Sequence, residues 1–110
     1  MTITLERQIE QMLALHKGWD DREALPIKRE TIDKALKYMP LMEEYVHNML
    51  NIKLGQPSLT ACTDGSVDLH WNSDEYELIM NVPERALPAT YYGDDKHRSK
   101  VLKGNFPKYQ

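Results

Sequence analysis

One cysteine, Cys62, stands in the whole chain, so no intramolecular disulfide can form and the fold must rest on its apolar core. A lone thiol suits a reducing compartment, and a cytoplasmic setting is expected. No apolar run approaches the roughly 20 residues that a membrane-spanning helix needs. The opening MTITLERQIEQ carries charge where a secretion signal needs an apolar stretch, so neither export nor membrane insertion is expected. Glycine and proline are no more than ordinary, at 5 and 6, while 41% of residues are apolar and 28% charged. That balance belongs to a folded chain rather than a disordered one. The sequence also has no C-x-x-C, no H-E-x-x-H and no glycine-rich phosphate loop. No cofactor or metal is therefore expected. At 110 residues, a single domain is expected over 1–110.

Charge is present but uneven. The net value is −3, yet residues 96–110 hold five bases (Lys96, Arg98, Lys100, Lys103 and Lys108) and no carboxylate. Taking those five from the 14 Lys and Arg leaves nine against 17 Asp and Glu in residues 1–95, a balance of −8. An acidic body repels nucleic acid, whose binding depends on neutralising phosphates. Only the tail offers a weak, salt-sensitive attraction to an acidic surface.

Periodicity divides the chain into a helical part, 1–54, an antiparallel sheet, 55–93, and a basic C-terminal segment, 94–110. Leu5, Ile9, Met12, Leu13 and His16 fall on one stripe, which predicts a helix over 3–17 capped by Thr2 or Thr4 and ended by Gly18. A second helix is expected after Pro26, with Ile32, Ala35, Leu36 and Met39 on its apolar face. Pro40 removes a donor and clashes one turn back. Residues 29–51 are thus either one kinked helix or two, with a separate or strongly kinked segment favoured over 41–51. Met39, Met42 and Met49 fit a core more readily than a binding groove.

From residue 55 the period changes to two. Leu59, Ala61 and Thr63 alternate with Thr60 and Cys62, and the Asp64-Gly65 pair suits a two-residue type I′ turn. Val67, Leu69 and Trp71 follow, then Tyr76, Leu78, Met80 and Val82 after NSDE. ATYYG, 89–93, is expected to add a fourth strand at the edge, and DDKHRSKVLKG suits a short helix. The expected fold class is α+β, with two or three N-terminal helices packed on one face of a three- to four-stranded antiparallel meander.

Trp19-Asp20, Ala24, Pro26-Ile27, Thr31-Ile32 and Ala35, followed by Asp64-Gly65 and Val67-Asp68-Leu69-His70-Trp71, resemble a recurrent element of small bacterial and phage proteins. That element has a GWDGYGA-like turn, a proline-led helix, and a DG hairpin whose second strand ends in tryptophan. The resemblance spans roughly residues 15–92, and departs where Asp21 and Glu23 replace glycines. It implies the α+β order and carries no activity with it.

Candidate functional residues follow from the alternation. Asp68, His70 and Glu77 belong to the polar face and can cluster across the hairpin. Tyr91 and Tyr92 are adjacent, so they point to opposite faces, and one of them must be exposed. Tyrosine suits interfaces because it buries much area with few rotatable bonds. These five residues are the candidate partner-binding set. Cys62 lacks basic neighbours that would activate a thiol. Trp19, in the charged gap HKGWDDREALPIKRETI, is expected to be the buried pin of a helix crossing, against Met12 and Leu15. No catalytic constellation is visible. The expected function is a non-enzymatic cytoplasmic regulator acting on another protein, as a phage or mobile-element accessory protein or inhibitor. The alternatives are a nucleic-acid-associated module using the basic tail and a small enzyme at the polar sheet face. A homo-oligomer also fits, because so small a sheet leaves edges to cover.

Overall fold

The computed structural model describes residues 3–95 and 99–107. Two helices precede five strands: α1 (Leu5–Leu13), α2 (Arg29–Leu50), β1 (Ser58–Ala61), β2 (Val67–Asn72), β3 (Tyr76–Val82), β4 (Ala89–Asp95) and β5 (Leu102–Phe106). The strands form one sheet in the order β1-β2-β3-β4-β5, each pair antiparallel. A helical layer on one side makes a slab 22 Å thick and 40 Å across. The α+β class is as expected, with one strand more than the meander foreseen.

α1 begins where Thr4 Oγ1 accepts the Arg7 N–H at 3.2 Å, satisfying one unpaired first-turn donor. It ends at Leu13, before the expected limit, and leaves His16 exposed in the following loop. Its contacts are with β1, while α2 lies on β2 and β3.

α2 runs as one helix through Pro40, the single-helix alternative rather than a separate segment over 41–51. The reason lies in phase. Ile32, Ala35, Met39, Met42 and Val46 continue one stripe at spacings of three and four across the proline, and all but Met39 are fully buried. Each large apolar side chain contributes about 1.5–3 kcal/mol by burial, so the stripe together outweighs the ~3 kcal/mol cost of one proline. Pro40 itself is exposed, on the side of the helix away from that stripe. Asn51, at φ 55°, ends the helix and turns Ile52 and Leu54 into the core.

The core is the covered face of the sheet. Register aligns Leu59, Leu69, Met80, Tyr91 and Gly104 in one row across all five strands. Trp71, Leu78, Gly93 and Leu102 make the next row, and the Trp71 indole N–H donates to Glu43 of α2 at 3.0 Å. Tyr45 and Tyr38 of α2 reach over β4 and β5, meeting Tyr91 and Phe106 edge to face at 6.0 and 5.3 Å between centroids. Tyr76 is fully buried, its hydroxyl has no hydrogen-bond partner among the described residues, and burial pushes its pKa up to about 12.

Two turns differ from expectation. The β1–β2 loop closes with Cys62 N–H to Ser66 C=O and Gly65 N–H to Cys62 C=O, so Thr63, Asp64 and Gly65 form a three-residue loop. Only Gly65 has positive φ, at 85°, and the loop is the three-residue kind with a left-handed glycine rather than type I′. Asp64 is used differently, accepting the Ser66 N–H and hydroxyl at 3.0 and 2.5 Å. At the other end, Leu102, Lys103 and Gly104 lie in β5, where a short helix was foreseen. Asp95 captures the amides of Ser99 and Lys100, and the Ser99 hydroxyl, returning the chain to pair with β4. Long-range pairing thus prevails over a weak local helical pattern. Of the basic tail, Lys96, Arg98 and Lys108 fall outside the described residues.

Candidate functional site

The alternate residues of the same strands make the second face, which no helix covers among the described residues. Its central row is Ser58, His70, Ile79, Tyr92 and Lys103, and beside it run Thr60, Asp68, Asn81, Thr90 and Asn105. Asn72, Glu77 and Asp94 make the third row. Two large side chains stand in the middle without cover: Ile79 is 43% exposed and Tyr92 52%. They are direct cross-strand partners, so they form one raised apolar spot rather than two scattered residues.

The polar side chains around this spot are ordered by hydrogen bonds. His70 Nε2 lies 2.7 Å from Glu77 Oε2, a diagonal pair across β2 and β3 in which both side chains are part exposed. Asp68 does not join them. Its carboxylate accepts from Asn81 Nδ2 at 2.8 Å, and the same amide donates to Ser66 Oγ at 2.9 Å. The expected three-residue cluster is therefore two separate pairs, because Asp68 is opposite Asn81 in register and His70 is opposite Ile79. The Tyr92 hydroxyl leans towards Asp94 at 3.4 Å. Asp68, Glu77 and Asp94 make this face acidic, with Lys103 the base in its rows.

Tyr91 takes the other direction, as adjacent strand residues must. It is 5% exposed, packed between α2 and the space above Gly104, so it is unavailable to a partner and leaves the candidate set. Burial and its hydrogen bond with Tyr45 push the Tyr91 phenol up to about 12. β4 is also not the sheet's edge, since β5 pairs along it. Ile79 was missed in the sequence because alternation placed it on the polar face, where an apolar residue looks like noise. Its signal was that very exception.

Cys62 sits half-buried at the end of this face, and desolvation raises its pKa above the ordinary thiol value. A thiol held protonated is a poor nucleophile. Among the described residues, no three His, Cys, Asp or Glu side chains converge as metal ligands, and no helix is long and apolar enough to cross a membrane.

Trp19 has a different role from the one expected. α1 packs on β1 and α2 on β2 and β3, and the Trp19 indole is only half-buried. Its N–H donates to Leu25 C=O at 2.8 Å, while Asp20 accepts the Arg22 and Ala24 amides at 2.9 and 3.1 Å. Gly18, at φ 79°, donates to Ala24 C=O, and Leu25 N–H reaches Thr63 C=O. The stretch is a self-bonded loop hooked onto the β1–β2 turn. On the helical side, a groove of about 1050 Å³ opens between the start of α1, Met39 and Glu43 of α2, and residues 53–58.

Comparison of the chain with protein-family models, with curated proteins and with solved structures found no match.

Proposed function

We propose that the protein is a small non-enzymatic binding module, a regulator or inhibitor that acts through the open face of its sheet. The observation that supports this reading is the exposed Ile79–Tyr92 pair at the centre of that face, ringed by Asp68, Glu77 and Asp94. An apolar anchor inside a polar rim is the usual anatomy of a protein contact. The rim's sign selects a basic partner. Like charge turns nucleic acid away, so such a surface is suited to occupying a basic groove in a protein that would otherwise hold nucleic acid. The resemblance of the Trp19 turn and the Asp64-Gly65 hairpin to phage and bacterial proteins favours an accessory or inhibitory role of that kind.

In this reading Tyr92 and Ile79 supply most of the contact energy, while Glu77, held by His70, and Asp68, held by Asn81, set orientation and encounter rate. A photo-crosslinking residue at position 92 tests it, with position 49 on the exposed side of α2 as control. The expected result is a discrete adduct from position 92 with a protein bearing a basic segment, weakened by salt and by Ile79→Ser. Adducts from position 49 alone, or equal labelling from both, would show that the partner uses another surface. A nucleic-acid adduct would transfer the reading to the basic C-terminal segment.

A further inference from the structure

The outer strands of the sheet end in different ways. On β1 the Leu59 N–H points away from β2 and is taken by Gln8 Oε1 of α1 at 2.6 Å. In an antiparallel sheet, successive residues turn their backbone groups to opposite sides. Leu59 therefore fixes the phase for its whole row: Leu69 bonds Met80, and Tyr91 bonds Gly104. The two hairpin closures, Cys62 to Ser66 and Ser73 to Tyr76, belong to the same phase. Since Gly104 faces β4, its neighbours Lys103 and Asn105 present N–H and C=O outward. Among the described residues, no strand lies beyond β5 to receive them.

We infer that this edge pairs with a second copy of the chain, β5 against β5, antiparallel about a two-fold axis at Gly104. Three symmetric registers centre on Lys103, Gly104 or Asn105, and the residues choose between them. An axis at Lys103 sets two lysines face to face, which is repulsive. An axis at Asn105 sets Lys103 against Pro107, which has no N–H to give. The axis at Gly104 sets Lys103 against Asn105 on both sides, each pair exchanging both its bonds. Gly104 then meets its own copy at the close pairing, ~4.5 Å between Cα atoms, where side chains crowd most. On the covered face, half-buried Leu102 lies opposite half-buried Phe106, so each shields the other's exposed part. The axis stands perpendicular to the sheet. Both helical layers fall on one side, and the two Ile79–Tyr92 spots share one continuous open face.

Sedimentation equilibrium over a concentration series, with amide hydrogen exchange read residue by residue, tests this pairing. The expected result is a mass of two chains at high concentration, with the Lys103 and Asn105 amides gaining protection as it forms. Asn105→Pro removes an outward N–H and leaves the β4 ladder intact, so it should weaken the dimer at least tenfold with the circular dichroism spectrum unchanged. Gln8→Ala, on the opposite edge, should leave the dimer in place. A single-chain mass throughout overturns the inference, as does a dimer in which Lys103 and Asn105 exchange freely. If Asn105→Pro does not fold, the exchange of those two amides in the unaltered chain decides.

Discussion

The two faces of this sheet are made by the same strands, one residue apart, and behave as different materials. On the covered face Leu69, Met80, Leu78 and Val82 have no exposed surface and belong to one continuous apolar core. On the open face Ile79 and Tyr92 stand in solvent, and the polar residues hold each other: Asp68 with Asn81, His70 with Glu77. Packing energy resides in the first face, and the proposed recognition uses the second. A residue on the covered face is constrained by all its neighbours at once. One on the open face answers mainly to what docks there.

Substitutions across the two faces test how far this separation goes. Leu69→Ala removes a fully buried side chain from the central row and should lower unfolding free energy by about 2–5 kcal/mol, read by denaturant titration. Gly93→Ala comes next. Its Cβ would meet Leu78 Cδ1 at 2.5 Å, Tyr76 Cε2 at 2.8 Å and the Glu77 carbonyl at 3.0 Å, so overpacking of about 1–3 kcal/mol is expected. Gln8→Ala leaves the Leu59 N–H without its acceptor and should cost about 1 kcal/mol in the same measurement.

A pH titration of stability probes the turns rather than either face. Hydrogen bonds from Ser66 hold Asp64 below the usual carboxylate range, and those from Ser99 and Lys100 do the same for Asp95. In both, the unfolded chain binds protons more readily. Their contribution is therefore complete above the ordinary carboxylate pKa of 3.8 and fades as pH falls through the lower folded values. Asp64→Asn and Asp95→Asn should each flatten the acid limb of thermal melts recorded against pH. The smallest effect belongs to the open face: Ile79→Ala should change stability by no more than about 0.5 kcal/mol. A loss as large as that of Leu69→Ala would mean that something covers this face in solution.

The sheet was legible because its alternation is strong. Val67, Leu69 and Trp71, then Tyr76, Leu78, Met80 and Val82, are all buried as their spacing demands. Pro40 misled because a local rule was weighed without the stripe that continues on both sides of it. β5 was illegible for the opposite reason. Leu102, Gly104 and Phe106 make a thin apolar face, and the strand exists through pairing with β4 and cover from Tyr38, neither of which is local. Of the candidate site, Asp68, His70, Glu77 and Tyr92 do share a face, since parity alone places them there. Their division into pairs depends on register, which parity does not give. Trp19 marked a real corner of the chain, but its hold is a hydrogen bond to Leu25 rather than burial between helices.

The Gln8 contact has a consequence for handling the protein. A side-chain amide in a helix occupies the place that a neighbouring strand would take on β1, and so closes a backbone edge that could otherwise template aggregation. α1 is short, exposed along much of its length, and joined to the rest of the chain by a loop. Trimming the first fifteen residues to obtain a tidier fragment would preserve every strand of the sheet while uncovering that edge. Such a fragment should keep its β-sheet spectrum and precipitate, which makes the N-terminal helix a solubility element as much as a part of the core.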